Sequence, residues 1–366
     1  MDAGSLLRSR GLSDQSDVTR ALRVKEICAM LDFACNIRCP LCPFWGTTGV
    51  SHGGRDSVWH AEFRPESLRR FLDGMRAFGG NRLNVSGGEP LANRRWIEVS
   101  TIARELGYRI MLTTNASFLE RELENVKQLV DVIQISFTDP AEWRRGFKRE
   151  AWSSELGRML SSLKEHGVEI QMNIAISDAG FPEIEAVTDA VLGSMPVNMF
   201  RFVHPMFLAP DVLAAHQADL AEFGTRAEFW RGFGTVPVRV DPEALSALLA
   251  RLAERYPGRT GVFPELDAED VAPFYRDPWY LPARFRDFCA APWTQVNLIP
   301  NGDVWVCYDV KLGNIHEDDA EAIWNGERAK ALRRRILERG LFAGCRGCFN
   351  KYSAIERGTA RRGGLP

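Results

Sequence analysis

No run of apolar residues in this chain approaches the ~20 that a membrane-crossing helix needs. Residues 1–19 are polar and lack the apolar core of a secretory signal. The expectation is a cytoplasmic protein with a short N-terminal leader over residues 1–23, and no membrane partner. Charge of one sign is also scarce. The 46 basic and 48 acidic residues leave a formal net charge of −2, which argues against a nucleic acid or a lipid surface held by bulk electrostatics. The one basic run, Arg333-Arg334-Arg335, falls in a helical context and reads as a solvated helix face. Internal repeats and low-complexity segments are missing, so repeat architectures drop out. Cysteine, by contrast, is plentiful. Eight cysteines in a cytoplasmic chain are not expected to pair as disulfides, and their clustering points to metal.

The chain exceeds one typical domain, although a barrel of ~250 residues folds as one. Strand-like segments at 24–33, 82–86, 109–114, 132–137, 169–176 and 197–203 alternate with helical ones at 65–78, 96–106, 119–129, 153–166 and 183–192. Six β/α units with short connections imply parallel strands and right-handed crossovers. The series ends by residue 205, too early for eight units. The fold class expected is α/β, a partial (β/α)6 TIM-like barrel over residues 24–205. Residues 206–281, rich in Pro, Trp, Phe and Arg, read as a linker or insertion near the active-site mouth. From 282 to 366 a small β-hairpin/helix domain follows. Its hairpin turns at Pro300-Asn301-Gly302 between two apolar runs.

Three constellations carry chemistry. Cys35, Cys39 and Cys42 fall in one loop as Cys-x3-Cys-x2-Cys, directly after the first strand. Thiolates are soft ligands suited to iron–sulfur clusters, zinc or copper(I). Three make an incomplete set and leave a metal position open. The C-terminal end of a barrel strand is also where such active sites form. Second, Ser86-Gly87-Gly88-Glu89-Pro90 ends the second strand. Its glycines allow close backbone approach, and Glu89 can accept hydrogen bonds from an ammonium group. Third, Cys289, Cys307, Cys345 and Cys348 form a complete four-thiolate set. Ligand softness alone leaves zinc or an iron–sulfur cluster open there.

On the first two motifs the chain resembles radical S-adenosylmethionine (SAM) enzymes over roughly residues 24–205. The resemblance implies that Cys35, Cys39 and Cys42 hold a [4Fe–4S] cluster whose fourth iron is chelated by SAM. It implies that Gly87, Gly88 and Glu89 meet the SAM amino group. It also implies reductive cleavage of SAM to a 5′-deoxyadenosyl radical, fed by a reducing protein such as flavodoxin or ferredoxin. Ser136 and Asn173 occupy positions that contact ribose or the SAM carboxylate in similar enzymes, and Thr113, Thr114 and Asn115 face the same mouth. The sequence departs at Leu41, where the family usually has an aromatic residue; Phe44 and Trp45 follow just downstream. The C-terminal cysteines resemble a twitch domain, a shortened SPASM domain, which implies one auxiliary [4Fe–4S] cluster.

Other residues have candidate roles. Cys28, on the first strand, is either a small buried apolar side chain or a hydrogen-atom donor to a substrate radical. His204 ends the sixth strand as an acid, base or substrate contact. Trp279, Tyr280, Trp293 and Tyr308 are candidates to line a pocket. The function expected is oxidation or epimerisation of a polar small molecule, a sugar or aminocyclitol, in a biosynthetic pathway. The alternatives are a maturase acting on a ribosomally made peptide and a zinc-stapled scaffold.

Overall fold

The computed structural model describes residues 2–46, 48–53, 62–137, 150–234 and 238–353. Six short strands come first: β1 (Glu26–Met30), β2 (Arg82–Ser86), β3 (Arg109–Thr114), β4 (Val132–Phe137), β5 (Glu169–Ala175) and β6 (Met199–Val203). Each pairs in parallel with the next. Helices Pro65–Arg76, Arg95–Glu105, Leu119–Leu129, Glu150–Glu165 and Ile184–Ser194 make the crossovers. The first shows why these segments are helical. Leu68, Phe71, Leu72 and Met75 recur at i, i+3, i+4 and i+7 and are all buried, and Pro65 opens the helix where no N–H is needed.

The strands are two-faced in a way that decides the function. On β2, Leu83 and Val85 are buried while Arg82, Asn84 and Ser86 are half-buried; β3 alternates in the same manner. Parallel strands covered on both faces usually read as continuous apolar runs, and a filled barrel packs branched side chains inside. Here the apolar residues face the helices. The alternate residues line an internal cavity.

The structure extends the expected barrel at both edges. Residues 206–281, expected as a linker or insertion, supply a seventh parallel strand, β7 (Thr260–Phe263), paired to β6 through Phe200↔Thr260. This segment also contains helices Pro210–Leu220 and Pro242–Arg255. At the other edge come β8 (Gln295–Leu298), β9 (Asp303–Trp305) and β10 (Lys311–Asn314). β8 and β9 form the expected hairpin, with Gly302 at φ +87° in its turn. β8 also lies parallel to β1, with Cys28 opposite Asn297. One ten-stranded sheet results, in the order β10-β9-β8-β1-β2-β3-β4-β5-β6-β7. The C-terminal helix Phe349–Ser353 ties its flanks together. The Phe349 ring lies 4.3 Å from Phe263 of β7, and Gln295 Nε2 on β8 donates to Ser353 Oγ at 2.7 Å.

The leader and the basic run differ from their sequence readings. Helix Ala3–Ser9 buries Leu7, and residues 18–21 are pinned to the C-terminal part. Trp293 Nε1 donates to Val18 O at 2.9 Å; Ala21 N donates to Asn325 Oδ1 at 2.9 Å. Arg333 is not on a solvated face but is 1% exposed. Its guanidinium donates to Pro292 O, Thr19 O and Asn325 Oδ1 and lies 4.7 Å over the Trp324 ring. These oxygens satisfy the Nε and Nη1 donors that burial would otherwise strand, while Nη2 has no partner among the described residues. Among the described residues, no helix is long and apolar enough to cross a membrane.

Candidate functional site

The cysteine loop begins where β1 ends, and the turn after β2 lies against its first residues. Gly88 N donates to Asp32 O and Glu89 N to Ala34 O, each at 2.8 Å. The two glycines are therefore needed for approach to the chain's own backbone. A Cβ on Gly87 would lie 2.3 Å from Asp32 O, and one on Gly88 2.0 Å from Ala34 O. The sequence alone suggested close approach to a ligand; the structure shows close approach to the loop that carries the cysteines.

Glu89 locks this arrangement. It is 1% exposed and accepts from Thr114 Oγ1 at 2.6 Å, Asn115 N at 2.7 Å and Leu91 N at 3.0 Å. Burial pushes its carboxyl up, and these three bonds partly offset the rise. An ammonium group would be a fourth partner for this carboxylate, whose two oxygens have about four acceptor sites. Asn115 extends the network to the loop, donating to Asn36 Oδ1 at 3.0 Å and facing Cys35 Sγ at 3.8 Å. Thr114 and Asn115 thus support the motif and are not placed in the cavity wall.

Backbone donors are aimed at the loop sulfurs. Ile37 N lies 3.4 Å from Cys35 Sγ, and Phe44 N lies 3.4 Å from Cys42 Sγ. N–H groups directed at sulfur favour a thiolate and tune a cluster bound to it. Burial otherwise raises the Cys35 and Cys42 thiols. Leu41 and Phe44 line the cavity. Phe44 stacks on Phe33 at 4.1 Å, while Trp45 turns away, its Nε1 donating to Phe33 O at 2.5 Å.

The second cysteine set converges beside the hairpin. Cys307 feels the charges of Cys345, Cys289 and Cys348, and burial, the larger cause, raises its thiol. Burial pushes Cys345 up to about 12. Yet among the described residues no three His, Cys, Asp or Glu side chains are gathered tightly enough to hold a single metal ion. Four thiolates complete a closed set for either tetrahedral zinc or an iron–sulfur cluster. Lys351 is buried beside them, its ammonium capping the carbonyls of Phe285 and Phe288.

Between the two cysteine sets lies a cavity of about 530 Å³. Cys28 and Tyr308 are on its wall, as are Ser136 and Asn173, which are cross-strand partners on β4 and β5. Among the described residues, the buried Asn173 Oδ1 has no hydrogen-bond partner, nor have Gln295 Oε1 and Asn297 Nδ2 on β8. These orphaned amide atoms fit a hydroxyl-bearing or carboxylate-bearing ligand. Cys28 is kept as a thiol by burial and, secondarily, by the Glu26 carboxylate. Tyr308 feels the charges of Cys348, Cys28 and Cys307, so it stands between the cavity wall and the second cysteine set.

His204 also borders the cavity, but at 1% exposure burial lowers it to about 3. It is neutral at physiological pH. That leaves it as a hydrogen-bonding contact, Nδ1 to Tyr275 Oη at 2.9 Å, and removes the acid role. The other aromatic candidates are elsewhere. Trp293 is fully buried core. Trp279 is 49% exposed and donates to Asp211, and Tyr280 donates to Asp270. Sequence reading missed Glu26, Arg82, Asn84, Arg109, Gln134 and Arg201 as cavity residues. Their signal was present: polar side chains at every second position of strands that ought to be apolar.

A barrel with an incomplete thiol set at its mouth and a complete set beside it defines a cluster-dependent enzyme. Residues 33–178 match the radical SAM superfamily, and residues 289–349 match SPASM, an iron–sulfur cluster-binding domain. The chain belongs to the radical SAM superfamily and carries a C-terminal SPASM domain. Such an enzyme binds a SAM-coordinating [4Fe–4S] cluster, an auxiliary iron–sulfur cluster and SAM. Fe-coproporphyrin III synthase of Methanosarcina barkeri is 26% identical over 179 residues, covering 47% of this chain and 42% of that protein. The chain thus spans less than half the length of this curated relative. Among solved structures, Streptococcus suis SuiB bound to its precursor peptide SuiA superposes with TM-score 0.57 at 13% identity, over 95% of this chain and 73% of that one. Native anSMEcpe with bound AdoMet gives TM-score 0.55 at 14% identity, over 89% and 88%. At these identities the likeness is one of fold.

Proposed function

We propose that Cys35, Cys39 and Cys42 hold the SAM-binding cluster, and that Cys289, Cys307, Cys345 and Cys348 hold the auxiliary one. SAM then lies between the turn Gly87-Gly88-Glu89 and the pair Ser136 and Asn173. The substrate is a polar small molecule of sugar or aminocyclitol type, and the outcome is epimerisation or oxidation. The observation that carries this reading is the cavity beneath the cysteine loop, whose largely apolar wall carries a set of inward-facing polar side chains, Asn84, Ser136, Asn173 and Asn297 among them. Its size suits a small ligand, and its donors and acceptors suit hydroxyl groups. When bound, the cluster supplies the electron that cleaves SAM to methionine and a 5′-deoxyadenosyl radical. The chain holds SAM and substrate together, excludes bulk water and fixes which C–H bond is presented.

Cys28 favours epimerisation over oxidation. Inverting a carbon requires a second hydrogen atom, delivered after the first is removed. Cys28 is a half-buried, uncharged S–H on the cavity wall. Oxidation instead requires a base on the cavity wall, where Glu26 and His204 stand. A flavodoxin or ferredoxin is the proposed reductant.

The test uses enzyme purified anaerobically, with SAM and candidate substrates deuterated at carbon. Deuterium entering 5′-deoxyadenosine from a sugar or aminocyclitol supports the reading; transfer only from a peptide overturns it in favour of a maturase. With the true substrate, Cys28→Ala is expected to abolish epimerised product while 5′-deoxyadenosine still forms. Undiminished product lighter by two hydrogens would instead establish oxidation.

A further inference from the structure

The half of the cavity farthest from the cysteine loop has a charge that hydrogen abstraction does not use. Glu26, Arg82 and Arg109 open β1, β2 and β3 and point inward, and Arg201 does so on β6. No other formally charged side chain lines the cavity, so among the described residues the wall carries three guanidinium groups and one carboxylate. Arg82 and Arg109 are direct cross-strand partners, a placement in which like charges repel. Glu26 offsets Arg82 in part. Glu169, just outside the cavity wall, pairs with Arg109 at 3.5 Å.

Arg201 is left over. Among the described residues it makes no hydrogen bond or salt bridge; its one opposite charge is the more distant Glu169, already engaged by Arg109. A desolvated guanidinium with five donors and no acceptor is costly unless something fills the space in front of it. Here that space is the cavity.

We propose that this end of the cavity binds an acidic group of the substrate, a carboxylate or a phosphate, gripped by Arg201 with Arg82 and Arg109. The planar fork of arginine matches both oxyanions, two bonds at a time. A strand rises ~3.3 Å per residue, so Arg82 sits about 13 Å below Ser86 at the cluster end. The substrate is anchored by its acid at the floor and presents a carbon at the mouth. This inference rests on the cavity being the substrate site and narrows the class. A sugar acid or sugar phosphate fits; an aminocyclitol bearing only ammonium groups meets three like charges.

Thermal unfolding of the reconstituted holoenzyme with SAM tests this at matched ionic strength, with inorganic phosphate, malonate or glucosamine hydrochloride added. A ligand that binds only the folded state raises the unfolding midpoint. Phosphate or malonate is expected to raise it by a few degrees, and glucosamine is not. A rise with phosphate alone assigns a phosphate ester; a rise with malonate alone assigns a carboxylic acid. Arg201→Gln is expected to remove the rise. Arg201→Lys, which keeps the charge without the fork, is expected to retain a reduced one and serves if the first variant fails to retain its iron and sulfide. No rise with either anion, a rise with glucosamine as large as theirs, or an undiminished rise in both variants overturns the proposal. The wider reading is scored separately, by dithionite-driven SAM cleavage in the wild type. Loss of that cleavage would sink the radical chemistry whatever the anions do.

Discussion

Replacing Cys35, Cys39 and Cys42 together by Ala is expected to reduce 5′-deoxyadenosine formation to background and to leave roughly four of the eight irons that two cubane clusters bring. The argument is one of ligand count and local structure. The three thiols share one loop and are half-buried, and Cys35 and Cys42 receive N–H groups from Ile37 and Phe44. They are not packed into the core, so truncation leaves no large void and the fold should persist. The second set is different. Cys289, Cys345 and Cys348 are buried among core residues, where replacement removes packing as well as ligands. Iron and sulfide analysis with chromatography of the SAM cleavage products reads both consequences at once. Retained cleavage in the triple variant would remove the assignment of this loop as the radical source. Loss of all iron would mean that the two cysteine sets do not assemble independently.

The parts of this architecture that were legible in the sequence are those set by local pattern. Six strands and five helices could be placed because apolar residues recur with clear periods, as Leu68, Phe71, Leu72 and Met75 do. The cysteine spacings stand in the chain itself. β7 was not legible. It is four residues long, Thr-Gly-Val-Phe, with every residue half-buried, so it has no apolar alternation and takes its form from pairing with β6. The union of β8 with β1 is a contact between residues more than 260 positions apart, for which sequence carries no local signal. Arg333 read as a surface residue because charge is usually solvated. Its partners Thr19 and Pro292 come from distant segments, and only the folded chain brings them together. The cavity was half legible. Arg82, Asn84 and Ser86 alternate with Leu83 and Val85 as a solvated strand would, and the sequence does not say that the polar face turns inward.

The second large effect lies in a residue with no side chain. Gly88→Ala is expected to destabilise the protein by roughly 3 kcal/mol, the upper end for an overpacked site, and to abolish SAM cleavage. A Cβ there would stand 2.0 Å from Ala34 O and 2.6 Å from the carbonyl carbons of Ala34 and Phe33. All are backbone atoms, so no rotamer change relieves the clash. Relief requires parting the two strands of chain held by Gly88 N to Asp32 O and Glu89 N to Ala34 O. That movement carries Ala34 and the adjoining Cys35 away from Glu89 and from the Asn115 amide that reaches Cys35. A methyl group therefore disturbs both the cluster loop and the turn proposed to meet SAM, without touching a cysteine. Gly193 supplies the contrast. It lies exposed in helix Ile184–Ser194, and a Cβ there meets nothing within 4 Å. Gly193→Ala is expected to stabilise by about 0.5–1 kcal/mol through the lower entropy of the unfolded chain. Denaturant unfolding of the two variants, with SAM cleavage measured alongside, separates a requirement for this one backbone contact from a general intolerance of alanine. Wild-type stability and full cleavage in Gly88→Ala would show that the loop and the turn are not coupled as the geometry indicates.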